Sequence, residues 1–105
     1  MSVLKLGTVR PCTGDSFVVY PAQIYVLPLR ECARALKRHG FTVRQEGAMV
    51  VVQQRDVSFT LYRTGRLLVL PCRTEEEAVK RAREVFGVLE SDPAISRAID
   101  SAEII

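Results

Sequence analysis

The sequence predicts an α+β fold in which two helices cover one face of an antiparallel sheet. Three observations predict it. Short β-forming runs follow one another closely between residues 41 and 70, as they do in an antiparallel meander. One segment before this meander and one after it carry apolar residues at helical spacing. The 105 residues suit a single domain, spanning 1–105, that can bury one core.

The N-terminal part predicts two strands joined by a turn. Residues 1–9 alternate loosely and form the first predicted strand. Residues 11–15 predict the turn, because proline fixes φ and Gly14 allows positive φ. Residues 16–26 are rich in Val, Tyr, Phe and Ile and predict a second strand. It is interrupted near Pro21, which lacks an N–H and therefore suits an edge or a bulge.

A first helix is predicted to begin at Pro28, because a proline in the first turn loses no hydrogen bond there. Basic residues in its last turn suit the negative end of the helix dipole, and Gly40 predicts its end. Its predicted apolar stripe consists of Leu29, Cys32, Ala33 and Leu36.

The meander is predicted to contain four strands, at residues 41–45, 48–54, 57–63 and 66–70. Tight turns separate them at residues 46–47, 55–56 and 64–65. The strand at 57–63 alternates with period two, so its two sets of side chains face opposite sides of the sheet. The set predicted to face the helices is Val57, Phe59 and Leu61, and the opposite set is Ser58, Thr60 and Tyr62.

The second helix has the clearest sequence pattern. Thr74 and Glu77 predict a capping box at its start. Its predicted apolar face consists of Ala78, Val79, Ala82, Val85, Phe86 and Leu89. Residues 91–93 interrupt it, and residues 94–99 predict a short further helix. Residues 103–105 are expected to become ordered only on a partner.

This order of elements resembles one half of the TATA-box-binding protein, a family built from two tandem copies of such a unit. The resemblance covers about residues 24–89 and is best over 48–89. Residues 61–66 (LYRTGR) are similar to the family's aliphatic-Phe-small-Ser-Gly-Lys hairpin, and residues 74–78 (TEEEA) resemble its Ser-Glu-x-x-x helix opening. Residues 1–23 then form an N-terminal extension, and residues 90–105 a C-terminal tail or short helix.

The resemblance implies a curved sheet that serves as a binding platform. The family kinks DNA by wedging phenylalanines between base steps in the minor groove. One such position falls at Tyr62, which has a polar tip, and the other near Gly47 or Ala48, which offer no wedge. Because one unit also supplies only half a saddle, TATA-type DNA bending is not expected.

Charge is unevenly distributed along the chain. The net charge of +3 combines +7 over residues 1–73 with −4 over residues 74–105. Such asymmetry occurs in nucleic-acid-binding proteins and also on ordinary solvated surfaces. The absence of asparagine, a thermolabile residue, predicts a thermophilic source. No apolar run approaches the roughly 20 residues that cross a bilayer, and no signal-peptide pattern is present. We therefore expect a cytoplasmic protein without a membrane partner.

No catalytic, metal or cofactor site is predicted, so the chain is not expected to be an enzyme. Cys12, Cys32 and Cys72 are far apart and form no C-x-x-C pair, and His39 is the only histidine. The cysteines are predicted as small buried hydrophobes in a reducing compartment, with Cys12 the most exposed but without a base. The glutamates at 75–77 are explained by the helix start.

The sequence thus predicts a non-enzymatic binding domain, with two alternatives for its partner. One is a protein partner or a homodimer through the open sheet face or edge, since exposed edges invite pairing and a two-fold dimer can rebuild a saddle. The other is nucleic acid, since arginines beside an aromatic hold phosphates and stack on bases. The candidate binding residues are Arg44, Gln53, Ser58, Thr60, Tyr62, Arg63 and Arg66.

Overall fold

The computed structural model describes residues 6–13, 15–21, 26–93 and 95. In chain order the elements are two strands, a helix, four strands and a second helix. They are β1 (Leu6–Thr13), β2 (Ser16–Pro21), α1 (Leu29–Arg38), β3 (Thr42–Glu46), β4 (Met49–Gln54), β5 (Val57–Tyr62), β6 (Leu67–Leu70) and α2 (Glu75–Ser91). The predicted α+β class is confirmed, together with the two main helices and the four-strand meander.

The six strands form one curved antiparallel sheet in the order β1-β2-β6-β5-β4-β3. Strands β3 to β6 follow one another as a meander, and β6 then pairs with β2. Helix α1 packs over β3 and β4, and α2 packs over β1, β2 and β6. The predicted arrangement, a sheet covered on one face by two helices, is confirmed and is compatible with one half of the TATA-box-binding-protein saddle.

The core lies between the helices and the sheet. Residues directly opposite one another on neighbouring strands share a face, so the register defines rows that cross the sheet. Two such rows are fully buried under the helices: Val50, Leu61, Leu67 and Val19 in one, and Val52, Phe59 and Val69 in the other. The helices contribute Leu29, Cys32, Ala35, Leu36, Ala78, Ala82, Val85, Phe86 and Leu89. The alternation predicted for β5 is confirmed.

Local sequence signals explain two of the predicted helix ends, the end of α1 and the start of α2. At the end of α1, the N–H of Phe41 donates to the Leu36 carbonyl and that of Gly40 to the Lys37 carbonyl, each at 3.1 Å. These two bonds form a Schellman motif, which requires the positive φ of +91° that Gly40 adopts. At the start of α2, the Thr74 hydroxyl accepts from the N–H of Glu77 at 3.2 Å, as predicted.

Some sequence predictions differ from the structure. Strand β1 continues to Thr13, through most of the predicted turn at residues 11–15. It can do so because β1 is an edge strand, where a proline need not donate to a second neighbour. In α1, Ala35 rather than Ala33 completes the buried stripe, while Ala33 is half-buried.

Some predicted segments lie outside the described residues. These are residues 1–5, residues 22–25 of the second predicted strand, and the terminal residues 103–105. The short helix predicted at residues 94–99 also lies outside them, except for Ile95, which is fully buried. Before it, the carboxylate of Asp92 pairs with Arg38 and accepts from the N–H of Ile95 at 3.4 Å. The ion pair between Arg38 and Asp92 links the end of α1 to the end of α2.

Candidate binding surface on the open sheet face

The sheet has a second face, opposite the helices, which we call the open face. It carries the alternate residues of each strand, and no described element packs on it. Its central row crosses all six strands in the order Arg44, Val51, Thr60, Leu68, Val18 and Arg10. On one side of it lies the row Thr42, Gln53, Ser58 and Leu70, and on the other the row Glu46, Met49 and Tyr62.

The centre of the open face is apolar. Leu68 and Val18 are direct cross-strand neighbours, and Val51 lies across Thr60 from Leu68. Met49 and Leu70 extend this patch, and all five side chains are half-buried. Arginines stand at both ends of the central row and polar residues flank it. An apolar centre inside a polar and charged rim is the usual composition of a protein–protein interface.

A cation lies between two aromatic rings at one end of the open face. The guanidinium carbon of Arg66 is 5.0 Å from the centroid of Tyr62 and 6.0 Å from that of Tyr20. The hairpin positions Arg66, because the N–H of Tyr62 donates to the Arg66 carbonyl at 2.9 Å across a turn in which Gly65 has φ +99°. Cation–π attraction to the two rings favours this position of the guanidinium, while its N–H groups can still donate to a carboxylate or a phosphate.

The positive charge at the β3 edge of the open face is partly neutralised. Arg44 forms an ion pair with Glu46, two residues further along the same strand and on the same face. The uncompensated charge of the face is therefore carried chiefly by Arg66 and by Arg10, which is exposed on β1 at the opposite edge. The face as a whole remains cationic.

The structure places six of the seven predicted binding residues on the open face. They are Arg44, Gln53, Ser58, Thr60, Tyr62 and Arg66. Arg63 is separate from them: its carbonyl accepts from the N–H of Leu27 at 2.9 Å, and it lines a groove beside the start of α1. Tyr62 faces the open side, so the next residue turns away from it.

Sequence reasoning missed the apolar centre of the open face. Val18, Val51 and Leu68 each lie inside a continuous apolar run, so period-two alternation does not reveal which way they face. The continuity of these runs could have predicted the apolar centre. A strand with apolar residues on both faces places some of them on the face that the helices do not cover. Tyr20 was also missed, since only the pairing of β2 with β6 brings it near Arg66.

The two cysteines whose side chains the structure describes are buried. Desolvation, reinforced by the negative charges of Glu31 and Asp92, raises the pKa of Cys32 to about 12. Burial also raises the pKa of Cys72, whose thiol donates to the Thr74 carbonyl at 3.2 Å. A protonated, buried thiol is a poor nucleophile. The side chain of Cys12 lies outside the described part of the structure.

The remaining described residues bear on three possibilities, which are a catalytic histidine, a metal site and a membrane span. His39 lies at the end of α1 with Nδ1 3.1 Å from the Ala35 carbonyl. Across residues 6–13, 15–21, 26–93 and 95, no group of three or more His, Cys, Asp or Glu could hold a metal ion. Within those same ranges, no helix has the length and apolar character needed to span a membrane.

No protein-family model, curated protein or solved structure matches this chain. The resemblance to half of the TATA-box-binding protein therefore rests on the order of elements and on the two short motifs. Function must be argued from the chemistry of the surface, and the open face is the most distinctive surface that the fold presents.

Proposed function

We propose that this chain is a non-enzymatic binding domain that associates with a second copy of itself through the open face. The observation that carries the proposal is the apolar centre formed by Val18, Val51 and Leu68, enclosed by polar and charged residues. Contiguous apolar patches on a protein surface usually mark an interaction site. The helix-covered face already supplies the core, so the fold of the monomer does not require this second apolar patch.

The size of the face predicts how strong such a dimer is. Six strands about 4.8 Å apart, with a mean length of five to six residues, give a face of about 29 Å by 18 Å, or roughly 500 Å² per copy. Two stacked faces thus bury roughly 1,000 Å² in total, which is at the lower limit for a specific interface. We therefore expect a weak, reversible dimer in which the two sheets stack about 10 Å apart.

The effect of salt concentration on affinity distinguishes self-association from nucleic-acid binding. Both open faces carry net positive charge, so they repel each other, and salt that screens this repulsion should strengthen the dimer. Contacts to phosphates behave in the opposite way, because added salt weakens them. The sign of the salt effect therefore distinguishes the two partners.

Sedimentation equilibrium over a wide concentration range, at low and high salt, tests the proposal. We expect a monomer–dimer equilibrium that shifts towards dimer as salt rises. Leu68→Lys places a charge in the apolar centre and should leave a monomer at every concentration. Val26→Lys is the matched control, because Val26 is 58% exposed and lies outside the open face. A strictly monomeric native protein, or a Leu68→Lys protein that still dimerises, would contradict the proposal.

Nucleic-acid binding is the second candidate, and the cation–π cluster of Tyr20, Arg66 and Tyr62 favours it. Bases can stack on aromatic rings while an adjacent arginine contacts phosphates. On this alternative, single-stranded oligonucleotides bind at low salt and affinity falls linearly with the logarithm of salt concentration. Arg66→Ala should then weaken binding, whereas Arg83→Ala, an exposed arginine on α2, should not.

A further inference from the structure

Strand β3 forms an edge of the sheet, where β4 is its one neighbour among the described strands. Glu46 pairs with Met49 across a two-residue turn, and such hairpins close with a hydrogen-bonded pair. Backbone groups alternate in direction along a strand, so those of Glu46, Arg44 and Thr42 point to β4. The N–H and C=O groups of Val43 and Gln45 therefore point outward, where an added strand can bind them.

A basic groove runs alongside this edge. It has a volume of about 210 Å³ and lies between β3 and the outer surface of α1. Val43 and Gln45 line it from the strand, and Arg30, Ala33, Arg34 and Lys37 line it from the helix. The three cations are exposed and spaced at i, i+4 and i+7, which places them on one side of the helix. No acidic residue is among those lining the groove.

We propose that β3 and α1 form a docking site for an acidic, extended segment of a partner polypeptide, which joins the sheet as a further strand beside β3. Alternate side chains of that strand face the helix side. They recur about every 6.6 Å along a strand, and the rise from Arg30 to Arg34 along a helix is about 6 Å. Glutamate or aspartate at two alternate positions of the segment thus matches Arg30 and Arg34. Lys37, about 4.5 Å further along the helix, adds positive charge beside the next acidic position.

The same charges argue against other strands at this edge. Pairing of β3 with the β3 of a second copy would bring two rows of cations together, which costs free energy. A basic segment is repelled for the same reason. A neutral segment gains the backbone hydrogen bonds but no electrostatic attraction. Recognition at this edge therefore combines backbone pairing, which any extended chain can supply, with a charge pattern that selects acidic ones.

Fluorescence anisotropy with synthetic peptides tests the site. The first peptide alternates Glu and Thr over eight residues, the second has the same composition with its four Glu grouped at one end, and the third alternates Lys and Thr. We expect the alternating acidic peptide to bind at least about tenfold more tightly than its grouped isomer, and the Lys peptide not to bind. Equal affinity for the two acidic peptides, or equal competition by a single-stranded oligonucleotide, would overturn the proposal.

Two protein variants test separately what the cations of α1 and the backbone edge of β3 contribute to binding. Arg34→Glu should weaken binding of the alternating peptide at least about tenfold, while Arg83→Glu, at an exposed position on α2, should leave it unchanged. Val43→Pro removes an N–H that points outward, so the pairing of β3 with β4 should be retained while binding is lost. Unchanged binding by Val43→Pro would contradict the proposed strand addition.

Methylation of the peptide backbone tests the pairing without altering the protein. Methyl groups on alternate nitrogens of the acidic peptide should abolish binding when they lie on the side that faces β3, and should have little effect on the other side. Equal effects of the two methylation patterns would overturn the proposal even if Val43→Pro fails to fold. The outcome is independent of dimerisation, because Leu68→Lys should bind the peptide as the native protein does.

Discussion

The two faces of the sheet differ in what their side chains do, although they are formed by the same strands. On β5, Phe59 is fully buried under the helices, while the adjacent Thr60 is half-buried on the open face. The helix-covered face carries the core that stabilises the monomer. The open face has an apolar centre that no described element covers. Stability and the proposed self-association therefore depend on alternate residues of the same strands, so a substitution on one face should leave the property of the other unchanged.

The largest effect is expected from truncation on the helix-covered face. Phe59→Ala should lower the free energy of unfolding by about 3–5 kcal/mol, since it leaves a cavity under the helices. Thr60→Ala, one residue along the same strand, should change it by less than about 1 kcal/mol. Urea unfolding monitored by circular dichroism measures both. Similar losses for the two variants would remove the distinction between the faces.

Alkaline pH should lower the free energy of unfolding through Cys32, which lies in the core on the helix-covered side. Its pKa is raised by burial from 9.0 to about 12 in the folded protein. Below pH 9 the thiol is protonated in both states, and its contribution to stability is complete. Between pH 9 and about 12 the unfolded chain loses the proton while the folded protein keeps it. The free energy of unfolding therefore falls by up to about 1.4 kcal/mol per pH unit.

Cys32→Ala isolates this contribution, because the variant retains all other titrating groups, including Cys72. At neutral pH the native protein should be the more stable of the two, since the thiol fills space in the core. That advantage should shrink steadily as urea unfolding is repeated from pH 9 towards pH 11. A constant difference across this range would mean that the Cys32 pKa is not raised.

A smaller effect is expected at the start of α2, which covers β1, β2 and β6. Thr74→Ala removes the hydroxyl that accepts from the N–H of Glu77 and should cost about 1 kcal/mol of unfolding free energy. Ser91→Ala is the matched control at the other end of the helix, where the hydroxyl only donates to the Val88 carbonyl, and it should cost less. Self-association should be unchanged in both variants, because neither touches the open face.

Local signals made much of the fold predictable. The alternation of residues 57–62, the Thr74 cap and the Gly40 helix end each depend on neighbouring residues, and each is confirmed. The position of Ala35 in α1 was not predicted, because the helical stripe admits either Ala33 or Ala35 until the helix is docked.

The candidate surface was harder to predict because it depends on long-range pairing. Tyr20 meets Arg66 only because β2 pairs with β6, which lies about 50 residues later in the chain. Arg63 and Arg66 flank the same turn, yet only Arg66 joins the open face. The apolar residues Val18, Val51 and Leu68 form one patch through the pairing of four strands, and no local pattern records that pairing.

The most direct test of the central claim is an isotope-filtered NOE measurement on a mixture of labelled and unlabelled copies of the native protein. At concentrations where sedimentation detects dimer, we expect intermolecular NOEs to the methyl groups of Val18, Val51 and Leu68. We expect none to buried methyl groups such as those of Val69. Intermolecular NOEs confined to the helices or to an edge strand would contradict the claim that the open face is the binding surface.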